Sequence, residues 1–241
     1  MSNLIAMVLG STFLLGGGTV DQKPIPAGGK NTPTVPSAGG AAQQPAVTVK
    51  SAGDVVVKII NLLHDSKAVH VSLNGKEVES DLAFGEVSKR EATTDAKLKV
   101  AVTENGASAI DTTLDLAKDH KYVLVLHGGD KKKSVEAVES DFVTGKSRLV
   151  LFNMANGVTA ADAYVDGKPV DKAQGLEHGK HGAITLDAGK HTIEVRSGKD
   201  VLISQQENLP ADGCVFAFLA GAKAGAHPLS LVMVRETKPK A

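Results

Sequence analysis

Val56-Val57-Lys58-Ile59-Ile60-Asn61-Leu62 is an apolar run that closes on apolar–Asn–apolar, and Arg148-Leu149-Val150-Leu151-Phe152-Asn153-Met154 repeats it 92 residues later. Working outward, Val71-Ser72-Leu73-Asn74-Gly75-Lys76-Glu77-Val78 is matched by Ala163-Tyr164-Val165-Asp166-Gly167-Lys168-Pro169-Val170. Asp95-Ala96-Lys97-Leu98-Lys99-Val100-Ala101-Val102 is matched by Ala188-Gly189-Lys190-His191-Thr192-Ile193-Glu194-Val195. Lastly, the stretch from Asp119 to Gly128 is matched by that from Asp212 to Gly221. Matches in the same order at a nearly constant offset mark an internal duplication. Asn-Gly and Asp-Gly supply the two positive φ angles of a type I′ turn, so the same tight hairpin is expected at the same place in both copies.

The period within each copy is that of strands. Lys97 to Val102 and His191 to Val195 alternate, as half-buried strands do. Tyr122 to Leu126 is continuously apolar, as a central strand is. No amphipathic helical stretch follows residue 54. Each copy has about 90 residues, which fits a seven-stranded immunoglobulin-like sandwich without the Cys–Trp–Cys signature of antibody domains. The expected fold is therefore all-β: two tandem immunoglobulin-like antiparallel β-sandwiches, at 54–140 and 146–237, after a disordered N-terminal tether.

Leu4 to Leu15 is an apolar run of the length of a signal-peptide core, followed by Gly16, Gly17, Gly18 and Thr19. It is short for a bilayer span, which takes about 20 residues. Residues 1–19 are expected to be a signal peptide, with an uncleaved N-terminal anchor or a misplaced start as alternatives, so the protein is expected in the periplasm or otherwise exported. Residues 20–53 carry Pro24, Pro26, Pro33, Pro36 and Pro45 with paired glycines. Such a composition buries too little apolar surface to offset its ordering entropy, and it is expected to act as a disordered linker.

Composition narrows the function classes. Lys plus Arg and Asp plus Glu both number 27, so the net charge is zero, which argues against a nucleic-acid binder, since that needs a basic face to displace counterions from phosphates. Two Tyr, six Phe and no Trp leave Val, Leu, Ile and Ala to fill the cores. The single Cys214 excludes an internal disulfide and any multi-cysteine zinc site.

No catalytic motif emerges. Gly145-Lys146-Ser147 has the ending of a phosphate loop, but Ser140 stands where that loop needs glycine and an apolar strand follows. His64, Asp65 and Ser66 are adjacent, and adjacent residues do not form a relay. Cys214 reads as a small buried hydrophobe. His178, His181 and His191 are the weak candidates for metal ligands, because imidazole binds metals readily; the glycines around the first two read instead as a solvated hairpin. No catalytic residue, metal or cofactor is expected. Lys131, Lys132 and Lys133 form a basic hairpin tip, either a solvated turn or a contact for an acidic polysaccharide.

The paired pattern of apolar strand, Asn, Asn/Asp-Gly-Lys and Ala-Gly-Lys-His-Thr-Ile-Glu-Val resembles two groups of exported bacterial proteins. One is the periplasmic accessory protein of alginate O-acetylation, its F component. The other is a broad family of tandem immunoglobulin-like repeats of unknown function, whose repeats carry a segment similar to Leu82-Ala83-Phe84-Gly85-Glu86-Val87-Ser88. The resemblance spans Val55 to Glu236 and implies a non-catalytic adaptor. Its expected partners are proteins of an envelope polysaccharide-modifying complex, with polysaccharide as a second ligand class. Membrane contact is expected only through an uncleaved N-terminal segment. A structural or adhesive envelope protein of tandem spacers is the alternative.

Overall fold

The computed structural model describes residues 53–129, 132–223 and 226–238. The expected signal segment, and the linker up to residue 52, lie outside the described residues. In the first repeat the strands are β1 (Val55–Leu63), β2 (Ala68–Leu73), β3 (Lys76–Ala83), β4 (Glu91–Thr93), β5 (Lys97–Glu104), β6 (Ala107–Asp115), β7 (Lys121–Gly129) and β8 (Lys132–Glu139). In the second they are β9 (Lys146–Asn153), β10 (Asp162–Val165), β11 (Lys168–Pro169), β12 (His181–Asp187), β13 (Gly189–Ser197), β14 (Asp200–Leu209), β15 (Gly213–Ala220) and β16 (Ser230–Thr237), with one 3-10 turn at Asp171–Ala173.

The sheets are β4-β1-β7-β8 and β3-β2-β5-β6, then β12-β9-β15-β16 and β11-β10-β13-β14. Adding eight to each strand number of the first pair gives the second pair, so the duplication extends to every strand. The fold is the expected pair of all-β sandwiches, with two refinements. Each repeat has eight strands where seven were expected, because rungs as short as Glu91–Thr93 and Lys168–Pro169 leave no periodic trace in sequence. The first and seventh strands of each repeat run parallel, β1 with β7 and β9 with β15, while the other pairs are antiparallel. Both expected type I′ turns are present: Asn74 and Gly75 have φ of 49° and 80°, and Asp166 and Gly167 have 51° and 75°.

The repeated asparagine has a structural task. Asn61 and Asn153 are fully buried. Asn61 Nδ2 donates to Leu82 O at 2.9 Å, and Asn153 Nδ2 donates to Leu176 O at 2.9 Å. Each amide thereby satisfies its own polarity and ties a neighbouring segment, the end of β3 in the first repeat and the loop at Leu176 in the second, to the central strand.

Both repeats lie in one compact unit, and the strand pleat shows how they meet. Val55, Val57, Ile59 and Leu63 of β1, with Leu124 and Leu126 of β7, face the interior of the first sandwich. Leu149 and Leu151 of β9, with Val215, Ala217 and Leu219 of β15, face that of the second. The opposite faces of the same strands meet in a third apolar layer: Ile60, Leu62, Val123 and Val125 against Val150, Phe152, Phe216 and Phe218. The continuous apolar runs are thus strands buried on both faces. All five described phenylalanines, Phe84, Phe142, Phe152, Phe216 and Phe218, belong to this seam, and neither sandwich interior contains one.

Equivalent faces meet as around an approximate two-fold axis. Position 64 of the first repeat touches its own equivalent, position 156: Asn156 Nδ2 donates to His64 Nε2 at 3.1 Å. Lys121 donates to Thr237 O at 3.0 Å, and the equivalent pair, Cys214 and Asp141, is also in contact.

Candidate functional site

The approximate dyad produces two equivalent grooves along the edges of the seam, and the sequence treats them differently. Between β4 and β16 the groove is closed. Phe84, Val87 and Val232 pack onto the seam there, and the His227 ring stacks on Phe84 with centroids 4.1 Å apart. Below them Glu236, only 3% exposed, receives Arg90 Nη2 on Oε2 at 2.7 Å. Lys58 Nζ lies 2.7 Å from Oε1, off the line of a hydrogen bond, and donates to Arg235 O at 3.2 Å.

Between β8 and β12 the equivalent groove stays open. Backbone bonding fixes the correspondence. Gly85 N donates to Asn61 O just as Gly179 N donates to Asn153 O, both at 2.7 Å. Asn61 N donates to Glu86 O as Asn153 N donates to Lys180 O. Hence Phe84 and Val87 correspond to His178 and His181. Val232 pairs with Phe218 as Glu136 pairs with Val125, so Glu136 stands at the position of Val232. Two imidazoles and a carboxylate occupy the places where the sealed groove has three apolar side chains.

The result is a trough of about 560 Å³, with Val138, Val150 and Ala183 along its floor and Glu136, Arg148 and His181 among its polar walls. Cavities of about 380 and 350 Å³ adjoin it, the first sharing Arg148 and Lys172, the second sharing Glu139 and Asp141. Arg148 Nη1 donates to Asp141 at 2.6 Å, an ion pair on the wall, and His120 Nδ1 lies 2.6 Å from Glu139 beside it. Lys172 reaches the rim because the 3-10 turn lies directly on β12. A methyl group on Gly182 would sit 2.0 Å from Lys172 O, so only glycine permits that approach.

The sequence-derived candidates fall in separate places. His181 tilts over Phe152 at 4.6 Å and lines the trough. His178 lines a smaller cavity of about 270 Å³ with His64 and Asn156. His191 belongs to β13, in the other sheet, and both its ring nitrogens are engaged: Nδ1 with Asp166 at 2.7 Å and Nε2 with Asp187 O at 3.0 Å. Among the described residues no three His, Cys, Asp or Glu side chains are grouped to hold a metal ion. At the basic tip Lys131 lies outside the described residues, Lys132 is exposed, and Lys133 is engaged by Glu104.

The other nucleophile and base candidates serve the fold. Cys214 is fully buried in the seam, and burial pushes its thiol up to about 11, so it is protonated at neutral pH. His64 lies 3.2 Å from Asp65, while Ser66 is buried in the turn.

His191 makes a pH-dependent contribution to stability. Its hydrogen bond to Asp166 raises its pKa above the ordinary imidazole value, and the Thr192 N–H, followed by His191, holds the Asp166 carboxyl below the ordinary carboxylate range. A raised histidine stabilises the fold fully below its unfolded pKa of about 6.5 and loses that contribution as pH rises through the folded value. Asp166→Asn is expected to return the His191 titration toward its ordinary value, read by NMR, and to flatten the fall in Tm above neutrality. An unchanged His191 titration would reject this assignment.

The comparisons with known proteins add little to this geometry. A family model described as a domain of unknown function, DUF4397, matches residues 55–158, the first repeat and the opening of the second. No curated protein matches the chain. A carbohydrate-binding module of family CBM26 from Eubacterium rectale Amy13K, crystallised with maltoheptaose, aligns over 78% of this chain and 98% of its own, at 10% identity and a TM-score of 0.25. An overlap that low bears on neither ligand nor mechanism.

The sequence reading missed Glu136, Arg148, Asp141 and Lys172. The usable signal was a second alignment, of Leu82–Ser88 with Leu176–Gly182 at an offset of 94, in which apolar residues become histidines.

Proposed function

We propose that this protein is a non-catalytic, exported adaptor that holds a partner protein of the cell envelope in the trough between β8 and β12. The observation that carries the reading is the asymmetry of the two grooves. The fold admits an apolar closure, uses it on one side, and on the other keeps a polar cleft between the repeats, a preferred location for binding sites. A non-catalytic role is supported by the engagement of the candidate nucleophile and bases in packing and hydrogen bonds. The more specific reading, drawn from the resemblance of both repeats, is an accessory role in exopolysaccharide O-acetylation or secretion of the alginate type. Side-by-side packing through an aromatic seam favours an adaptor over tandem spacers, which have no need to bury their broad faces on each other.

Charge reversal in the trough, Glu136→Lys with Lys172→Glu, tests the reading. Both side chains are at the trough surface, so folding is expected to be retained. Recovery of a membrane O-acyltransferase or polymer synthase from envelope fractions is expected to fall at least about tenfold, the loss of roughly 1.4 kcal/mol of binding. Equal recovery by wild type and variant would remove the trough from the interaction.

A further inference from the structure

The two ends of the seam are held by different chemistry. One end is anchored by Glu236 with Lys58 and Arg90. At the other, contacts between the repeats are made largely by histidines. His64 Nδ1 donates to Gly128 O at 2.9 Å within the first repeat, which leaves Nε2 to accept from Asn156 of the second. His227 of the second repeat stacks on Phe84 and reaches Ser66 O of the first at 3.3 Å. His127, on the seam face of β7, contacts Ser134 Oγ at 3.2 Å and lies within the field of His178 from the facing repeat. His181 covers Phe152 at the same edge. Five of the eight histidines of the chain therefore gather at this end of the seam, His64, His127, His178 and His181 on the trough side and His227 on the sealed side.

We propose that this histidine end is a pH-operated hinge: acid charges imidazoles on both lips of the seam, the repeats part at that end, and the trough widens while the Glu236 anchor holds the other end. The proposal rests on the reading of the trough as the binding site and names its regulation.

The charges around the central imidazole set the direction. His127 is faced by Glu136 from β8, which favours its charged form, and by His178 and Lys132, which oppose it; burial opposes it most, and its pKa is held below the ordinary value. Such a group keeps its proton off in the closed seam and takes it up more readily where water reaches it. Closure is thus favoured above the ordinary imidazole pKa and weakens as pH falls through the closed-state value. At His64, Nε2 accepts the Asn156 bond only while it carries no proton, and Asp65 of the same repeat lies 3.2 Å from that nitrogen. In the sealed groove the positions equivalent to His178, His181 and Glu136 are Phe84, Val87 and Val232, none of which titrates, and the imidazole on that side is His227, stacked on Phe84.

The test needs no ligand. Nitroxide labels on Lys67→Cys and Thr159→Cys, both exposed positions beside the histidine end, in a Cys214→Ala background, report the distance across it by pulsed electron resonance. One narrow distribution is expected at about pH 8, and a longer-distance population is expected to grow toward about pH 5. The same protein carrying His127→Gln and His178→Gln is expected to keep the narrow distribution throughout. An unchanged wild-type distribution overturns the hinge, and equal opening in the glutamine variant overturns its assignment to these histidines. Failure of either kind leaves partner capture by the trough untouched, and loss of capture in the charge-reversal variant leaves this measurement untouched.

Discussion

Phe218→Ala is expected to destabilise the protein by about 3–5 kcal/mol, the range for truncating a fully buried phenylalanine. Phe218 is fully buried, its ring centroid 4.8 Å from that of Phe152 and 6.4 Å from that of Phe216. The three rings form the centre of the seam, so truncation removes buried area and opens a void that two rigid β-sheets cannot collapse to fill. For a chain of this size each kcal/mol lowers Tm by about 2–4 °C, which sets a loss of roughly 10 °C. Thermal unfolding checks it, with Phe218→Leu retaining most of the stability. A loss under about 2 °C would mean that the seam is not a load-sharing part of the fold. Because the seam alone joins two separately closed interiors, the alanine variant is also expected to unfold in two steps where the wild type unfolds in one.

Glu236→Ala is expected to cost about 3–5 kcal/mol, since removing one partner of a buried ion pair strands the other. Lys58 is 12% exposed and Arg90 29%. Without the carboxylate, the Lys58 ammonium keeps only Arg235 O. Replacing all three together, Lys58→Met and Arg90→Met with Glu236→Leu, is expected to restore most of the loss, because apolar substitutes of similar volume avoid the desolvation of the ions and leave neither cation stranded. Denaturant unfolding of the two variants separates the effects. If the single variant were as stable as wild type, the repeats would not be anchored at this end.

The duplication, the type I′ hairpins and the all-β class were legible because each is written in local sequence: Asn74-Gly75 and Asp166-Gly167 dictate their turns whatever surrounds them. The seam was not. Ile60 and Phe152 sit in apolar runs that look alike whether the second face meets another sheet in the same sandwich or a neighbouring repeat. The distribution of phenylalanine was the available sign, since every described phenylalanine lies in the seam and none in an interior. The trough was still less legible. Glu136 and His181 are 45 positions apart and share a wall only after β8 and β12 are brought together across the dyad. His178 and His181 were noticed as a cluster, yet their meaning depends on comparison with Phe84 and Val87. His191 was grouped with them by sequence proximity, and its strand, β13, belongs to the other sheet of the repeat.

The near-dyad carries a consequence for what this architecture can become. Were the halves separate chains meeting through the same faces, the pair would be a symmetric homodimer, and any residue that sealed one cleft would seal its twin. Joining the halves through residues 140–145 releases that obligation. Each cleft is written by its own codons, so one can harden into a fastening while the other keeps an opening. Covalent linkage, more than the sandwich itself, is what allows this molecule to have a front and a back.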